Sequence, residues 1–478
     1  MSISSIDRSL LPGRREIIAV GLLLLSLFIM APLLRSGQAA LTLAILAGLY
    51  FTVFSLRHLL PAALILVVLS EEGLGVFGSG GLPYVQVASG LRVTLRDALL
   101  LVILVVALIS LRDRGEQPLF TPPLLCIAAA TAFAFALGSL SDGSTAVPIQ
   151  LLRPLFGFAL YFIVVAAVNS RTELNWLVAT IFLVVLASVV LQVGEQASGR
   201  SALSQDPLSL PPEGIRSVDV GGKVVASAWS RAPQLLFLAL FLALGCLFEW
   251  QSIRLHAMVV VICLLGYIVA LTRSWYIFIA IGTLTMLIAV RGWQARARFA
   301  AAVPIVAAAV GGGALYAGGV AGGHTGSPLL DQWLARSATL LAFQQESTFL
   351  IRLGALSWQW DHVLAAPLFG YGLSRVTNGL LNSDLGAINT LIIFGFVGSL
   401  GFVALIACAL HASIDTWRRL PPSRERGYAL GIVGAWAGLI VGYASDWDFV
   451  TNVNGPWFIV LALAIGDRLR ASTRWPEQ

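Results

Sequence analysis

The chain has 478 residues, of which 58% are hydrophobic and only 11% charged, with a mean hydropathy of +0.87 and a formal net charge of +6. An average soluble domain carries about 25% charged residues. The composition therefore excludes a soluble globular enzyme, a disordered chain and a disulfide scaffold, and the bilayer is the solvent to reason with.

A bilayer core needs about 20 mostly apolar residues per helix, within a range of about 17–25. Fourteen runs meet or approach this length: 16–34, 40–54, 59–70, 97–111, 119–138, 154–168, 175–193, 232–248, 255–271, 274–290, 299–319, 386–410, 427–444 and 456–465. Several are short, so the count is 12–14. Arg14 and Arg15 precede the first run, which is longer than the ~7–15 residue core of a signal peptide and is followed by further spans, so it reads as an uncleaved first helix. The predicted fold class is all-α, a polytopic integral membrane protein. Residues 1–193 hold helices one to seven and 194–231 a first large outer loop. Residues 232–319 hold helices eight to eleven, 320–385 a second large outer loop, and 386–478 the last three helices with a tail.

Charge orients the scheme. With both termini cytoplasmic, 18 of the 30 basic residues fall in inner loops and 12 outside, although the outer loops are about twice as long. The inner side then carries a net +8 and the outer side −2. Cys126, Cys246, Cys263 and Cys408 all lie within proposed spans, which argues against disulfides and a zinc site. No P-loop, dinucleotide fingerprint or HExxH motif is present, and the inner loops are too short for a nucleotide-binding domain. Nothing in the pattern calls for nucleic acid.

The polar mass is outside. The first loop is rich in Ser and Pro (SALSQDPLSLPPEG) and irregular until 218–226. The second contains two amphipathic stretches: Leu330, Trp333, Leu334 and Leu341, then Leu353, Leu356, Trp360 and Val363, near helical spacing. Helices of this kind lie on a membrane surface among its lipids, with tryptophan at the headgroups. Arg200, Arg216, Arg231, Arg336, Arg352 and Arg375 sit on the two loops, and Arg153 and Arg273 at outer ends of spans. Of the 30 basic residues only Lys223 is lysine. A GC-rich genome accounts for that bias but not for the outward placement. One arginine is an interfacial anchor or an acid's partner; together they describe a site for a phosphate or diphosphate, whose oxygens suit bidentate guanidinium contacts.

Arg352 is followed by LGALSWQWDHVLAAPLFGYG, with Pro367, Gly370 and Gly372, then Asp384, then INTLIIFGFVGSLG with Asn389, Gly395 and Gly398. In its order of motifs this resembles the O-antigen ligase and O-antigen polymerase (Wzy-type) superfamily. LTRSWYIFIA and SRAPQLLFLALFLALG resemble two of that family's span starts. The resemblance covers about 231–410; before that it extends only to general hydropathy.

What the resemblance implies is a GT-C-like membrane glycosyltransferase, inverting and metal-independent. It would use undecaprenyl-diphosphate-linked glycans at the periplasmic face of the bacterial inner membrane, with no cofactor because the donor is already activated. It would work beside a flippase and a chain-length regulator. Arg352 and Arg231 would bind the diphosphate, with Arg216 and Arg153 next and Arg273 also named. Arg273 precedes Ser274, whereas the family's arginine follows the serine, where this chain has Trp275. Asp384 would accept the acceptor hydroxyl's proton, with His362 and His324 the second choices and Glu346 behind them on charge alone. The other reading of Asp384 is a cap for a helix starting near Gly386. Tyr371 would shape the turn, and Trp358 and Trp360 would anchor at the interface or stack on sugar. Ile388 stands where ligases carry histidine, which favours a polymerase. A ligase is the alternative within the class. A secondary transporter is the alternative outside it, hinted at by glycine runs at 311–313 and 318–323.

Overall fold

The computed structural model describes residues 58–70, 84–88, 91–198, 215–220, 223–228, 233–249, 252–270, 274–290, 347–381, 385–445 and 455–475. The expected spans at 16–34, 40–54 and 299–319 and the amphipathic stretch at 330–341 lie outside the described residues, as do His324 and Glu346. The regular elements among the described residues are helices, apart from two short antiparallel hairpins.

In chain order the elements are α1 (Leu59–Ser70), β1 (Tyr84–Ala88), β2 (Leu91–Thr94), α2 (Leu95–Asp113), α3 (Thr121–Asp142), α4 (Ala146–Leu152), a 3-10 helix (Arg153–Phe158), α5 (Ala159–Ala167) and α6 (Arg171–Ser198). Then come β3 (Ile215–Val220), β4 (Lys223–Ala228), α7 (Pro233–Phe248), α8 (Ile253–Ala270) and α9 (Ser274–Ala289). The remainder is α10 (Ser347–Ala365), α11 (Arg375–Leu380), α12 (Gly386–Arg419), α13 (Arg424–Ser445) and α14 (Gly455–Ser472). Among the described residues, four helical stretches are long and apolar enough to cross a membrane: Thr121–Asp142, Arg171–Gly194, Gly386–Arg419 and Arg424–Ala444. Shorter apolar helices include Leu59–Val68, Leu235–Phe248, Ile253–Tyr267 and Trp275–Ala289.

Two expectations change. The run at 154–168 is not one helix: the chain tightens into the 3-10 helix before α5 begins. Pro154 cannot donate to an α-helical ladder, and Gly157 adds backbone freedom at the same place. The run at 386–410 becomes a longer helix, extending to Arg419, that is broken at Gly395 (φ 61°, ψ −171°). Unbroken, 34 residues would span about 51 Å, well beyond a ~30 Å hydrocarbon core.

The centre of the fold is α7, in which every residue from Leu235 to Leu244 is buried. A helix apolar on all sides needs neighbours on all sides, and α6, α8, α9, α13 and α14 supply them. Close approach comes from glycine. A Cβ on Gly245 would stand 2.0 Å from the Gly427 carbonyl oxygen, and one on Gly431 would stand 2.3 Å from that of Phe241. Backbones in van der Waals contact replace the hydrophobic driving force that a bilayer does not provide between helices. On the outside, Leu101, Val105 and Leu108 of α2 and Leu183, Leu186 and Val190 of α6 remain exposed at helical spacing. So do Val397, Leu400 and Val403 of α12. Continuous apolar stripes of this kind face hydrocarbon rather than water.

The helix ends sort into two sets. At one, Arg114 reaches Asn169, Arg424 donates to Ser252 Oγ (3.0 Å), and Arg426 pairs with Glu249 (3.2 Å). Arg468 there is only 3% exposed and pairs with Glu116 (2.6 Å) and Asp467 (3.3 Å). Asp467 accepts from the Tyr161 hydroxyl and from the Leu119 amide (2.9 Å). The loop ends joined there are the arginine-rich ones that the charge count groups on one side. Arg468, read from sequence as one more orienting charge, is instead the centre of a buried ionic knot that ties α14 to α5 and to the connection between α2 and α3. The opposite set of ends carries both hairpins, α10 and α11.

Candidate functional site

The turn Pro367–Gly372 and the break in α12 are two halves of one joint. The amides of Tyr371 and Gly372 donate to the carbonyls of Ile392 (2.8 Å) and Ile393 (3.0 Å), which end the first half of α12. In return, the amides of Phe396 and Val397, which begin the second half, donate to the carbonyls of Pro367 (2.8 Å) and Leu368 (3.1 Å). All four bonds use groups that an unbroken helix would have spent on itself, so the joint leaves them satisfied. Gly370 and Gly372 take positive φ (66° and 68°), and Gly395 lies in a region open essentially to glycine alone. The joint rests on α3, where the Leu373 amide donates to the Ala134 carbonyl (2.8 Å). A Cβ on Gly138 would stand 2.0 Å from the Leu373 carbonyl oxygen.

Above the joint, α10 and α11 pack on the first half of α12 through a small cluster separate from the main core: Val363, Leu380, Leu385, Ile388 and Ile392. The expected stripe on α10 divides accordingly. Val363 is buried in this cluster, whereas Leu356 and Trp360 are exposed beside Leu364. Trp358 is exposed too. The first half of α12 is enclosed almost all round, from Gly386 to Gly395, while Phe396 and Val397 just beyond the break are exposed. Thr390 receives the Tyr443 hydroxyl from α13 and bonds the Gly386 carbonyl (3.0 Å).

His362 lies on α10, partly buried, with its ring centroid 4.8 Å from that of Trp358 and 6.4 Å from that of Tyr371. Arg352 lies on the same helix, Arg153 opens the 3-10 helix, and Arg216 is on β3. The α10, α11 and α12 starts form one assembly, and α4, which leads into the 3-10 helix and Arg153, touches α11. Arg216 belongs elsewhere, on a hairpin whose β4 rests on α6 and α8. Arg231, Arg273 and Asp384 lie outside the described residues. The cap residue of α12 is Leu385, which makes no side-chain cap bond. Arg375 opens α11, where Ser374 caps the helix and the Arg375 amide donates to Asp142 Oδ2 (2.7 Å).

Sequence reasoning missed Gln359, which is completely buried between Leu380 and Asn389. The signal was there. A glutamine four residues before Val363 occupies the packed face of an amphipathic helix, where an apolar residue is the rule. Among the described residues no group of three His, Cys, Asp or Glu side chains could hold a metal ion. No family model matches the chain, and no curated protein matches it.

Proposed function

We propose that the chain is a polytopic GT-C-like membrane glycosyltransferase of 12–14 spans, with both termini in the cytoplasm. It joins undecaprenyl-diphosphate-linked repeat units into O-antigen or exopolysaccharide at the periplasmic face of the bacterial inner membrane. The observation that carries this reading is the joint. Arg352, the Pro367–Gly372 turn, Asn389 and Gly395 are the segments on which the family resemblance rests, and they converge at the end of the molecule opposite the arginine-rich knot. The turn and the break at Gly395 interlock through four backbone hydrogen bonds, and α10, which carries Arg352, packs on the half of α12 that holds Asn389.

In this reading an acceptor sugar hydroxyl attacks the anomeric carbon of the donor. The bond from that carbon to the diphosphate oxygen breaks, and configuration inverts. Asp384 takes the hydroxyl proton, with His362 the second choice. Arg352 and Arg231, then Arg216, Arg153 and Arg273, hold the diphosphate and stabilise the charge it gains as it leaves. The position of Arg216 on a separate hairpin ranks it behind Arg352 and Arg153. A flippase supplies the lipid-linked unit, and a chain-length regulator acts on the product.

One observation favours the transporter alternative, since broken helices mark transporter binding sites. The break at Gly395 is a poor ligand site, however, because the freed carbonyls of Ile392 and Ile393 and the amides of Phe396 and Val397 are all taken by the turn. Deleting the gene tests the proposal: long-chain glycan disappears while single-repeat products remain. Unchanged chain length with loss of solute uptake refutes it.

A further inference from the structure

Gln359 is a polar residue in a place that packing alone would give to leucine. It shares a helix face with Val363, has no exposed surface, and lies against the first half of α12. Its Nε2 donates to the Leu380 carbonyl at 2.6 Å and faces Asn389 Oδ1 at 3.4 Å. The carboxamide cannot be turned over, because its oxygen would then meet two acceptors. In the orientation observed, Oε1 is buried with no partner among the described residues, a destabilising arrangement. The side chain therefore does not serve stability best; what it does is join three elements at one point, α10, the last residue of α11, and α12.

The rest of that contact is apolar: Val363, Leu380, Leu385, Ile388 and Ile392. Apolar contacts are non-directional and tolerate sliding and rotation of one helix on another. A hydrogen bond at 2.6 Å does not. The 2.6 Å bond fixes α10 against the end of α11, and the 3.4 Å contact with Asn389 links the same amide to α12, so the seating of α10 on these two helices depends on Gln359. That seating matters because Arg352 stands two helical turns before Gln359 and His362 one turn after it, while position 384 lies next to the start of α12.

We infer that Gln359 is a positioning residue: through Leu380 and Asn389 it sets where α10 carries Arg352 and His362 relative to the start of α12. The inference rests on the polymerase reading for its catalytic half. It predicts that losing the amide misplaces the reacting groups without weakening donor capture by the remaining arginines.

The test uses the full chain in membranes, with Cys126 and Cys408 replaced by alanine and a reporter, Ile388→Cys, in the buried cluster. Gln359→Leu is compared with the parent by maleimide labelling and by turnover of an undecaprenyl-diphosphate-linked oligosaccharide. Gln359→Met, unbranched and of the same length, takes its place if the leucine variant does not accumulate. Labelling of the thiol introduced at position 388 is expected to rise about tenfold as α10 loosens locally. The value of kcat falls about 10–100-fold, the scale of a 1 Å misplacement, while KM stays within about twofold. Unchanged labelling overturns the bridge, and faster labelling with full kcat overturns its positioning role. A parent chain that transfers nothing refutes the polymerase reading and the catalytic half with it, while labelling still decides the bridge.

Discussion

Gly395→Ala is the most direct probe of the joint between the turn and α12. The substitution adds one methyl group at a residue with φ 61° and ψ −171°. Backbone held in this region by a residue other than glycine is strained by about 1–3 kcal/mol. The methyl would also stand 2.4 Å from the Leu368 carbonyl and the Phe369 amide nitrogen, main-chain atoms with no flexible end to yield. Either the helix rotates or the turn withdraws, and withdrawal threatens the bonds from Phe396, Val397, Tyr371 and Gly372. At about 1 kcal/mol per bond, losing two of them brings the total to roughly 3–5 kcal/mol. Gly354→Ala is the control, since it sits on α10 with nothing within 4 Å of the added methyl and with ordinary helical φ. There alanine should stabilise by roughly 0.5–1 kcal/mol. The assay is thermal unfolding of the detergent-solubilised chain, followed by tryptophan fluorescence, beside glycan chain length in cells. Gly395→Ala is expected to lower the midpoint by several degrees and shorten the glycan, while Gly354→Ala does neither. An alanine variant with the parent's midpoint and full-length glycan would refute the reasoning, because it would mean the break needs neither the glycine conformation nor the close approach.

Arg352→Ala and Arg352→Lys should both abolish polymer in a complementation assay, since a lysine keeps the charge but not the bidentate fork; full activity of the lysine variant would reduce Arg352 to a charge role. Arg468→Ala should destabilise the chain by about 3–5 kcal/mol, because it strands Asp467 and Glu116 beside one another; denaturant titration of the purified variant checks it. Gly431→Leu should prevent accumulation of folded protein, since its first carbon already stands 2.3 Å from the Phe241 carbonyl oxygen and α7 cannot move aside; normal levels on a blot of the membrane fraction would contradict this.

Most of the helices could be read from the chain because their cause is local. A run of apolar residues long enough for hydrocarbon favours a helix from its own composition, and α3, α6, α7, α8, α9 and α13 all lie within a few residues of their apolar runs. The order of Arg352, the Pro367–Gly372 turn, Asn389 and Gly395 was likewise visible, as residue types at set spacings. What the chain could not show was which groups meet. Gly395 lies within an apolar run, and only the turn packed against it explains the break. Arg468 counted as one positive charge among eighteen until Glu116 and the Val168 carbonyl, each hundreds of residues earlier in the chain, closed around it.

The sequence by itself determined that this is a helical membrane protein whose arginines are denser in one set of loops than in the other. Composition and hydropathy act over a few turns of chain and need no partner. The tertiary structure alone decided the joint at Gly395, the Gln359 bridge and the knot at Arg468. Each of these depends on distances of about 3 Å between segments far apart in sequence, and hydrogen bonds lose most of their strength beyond that range. Periodicity along one helix carries no record of them.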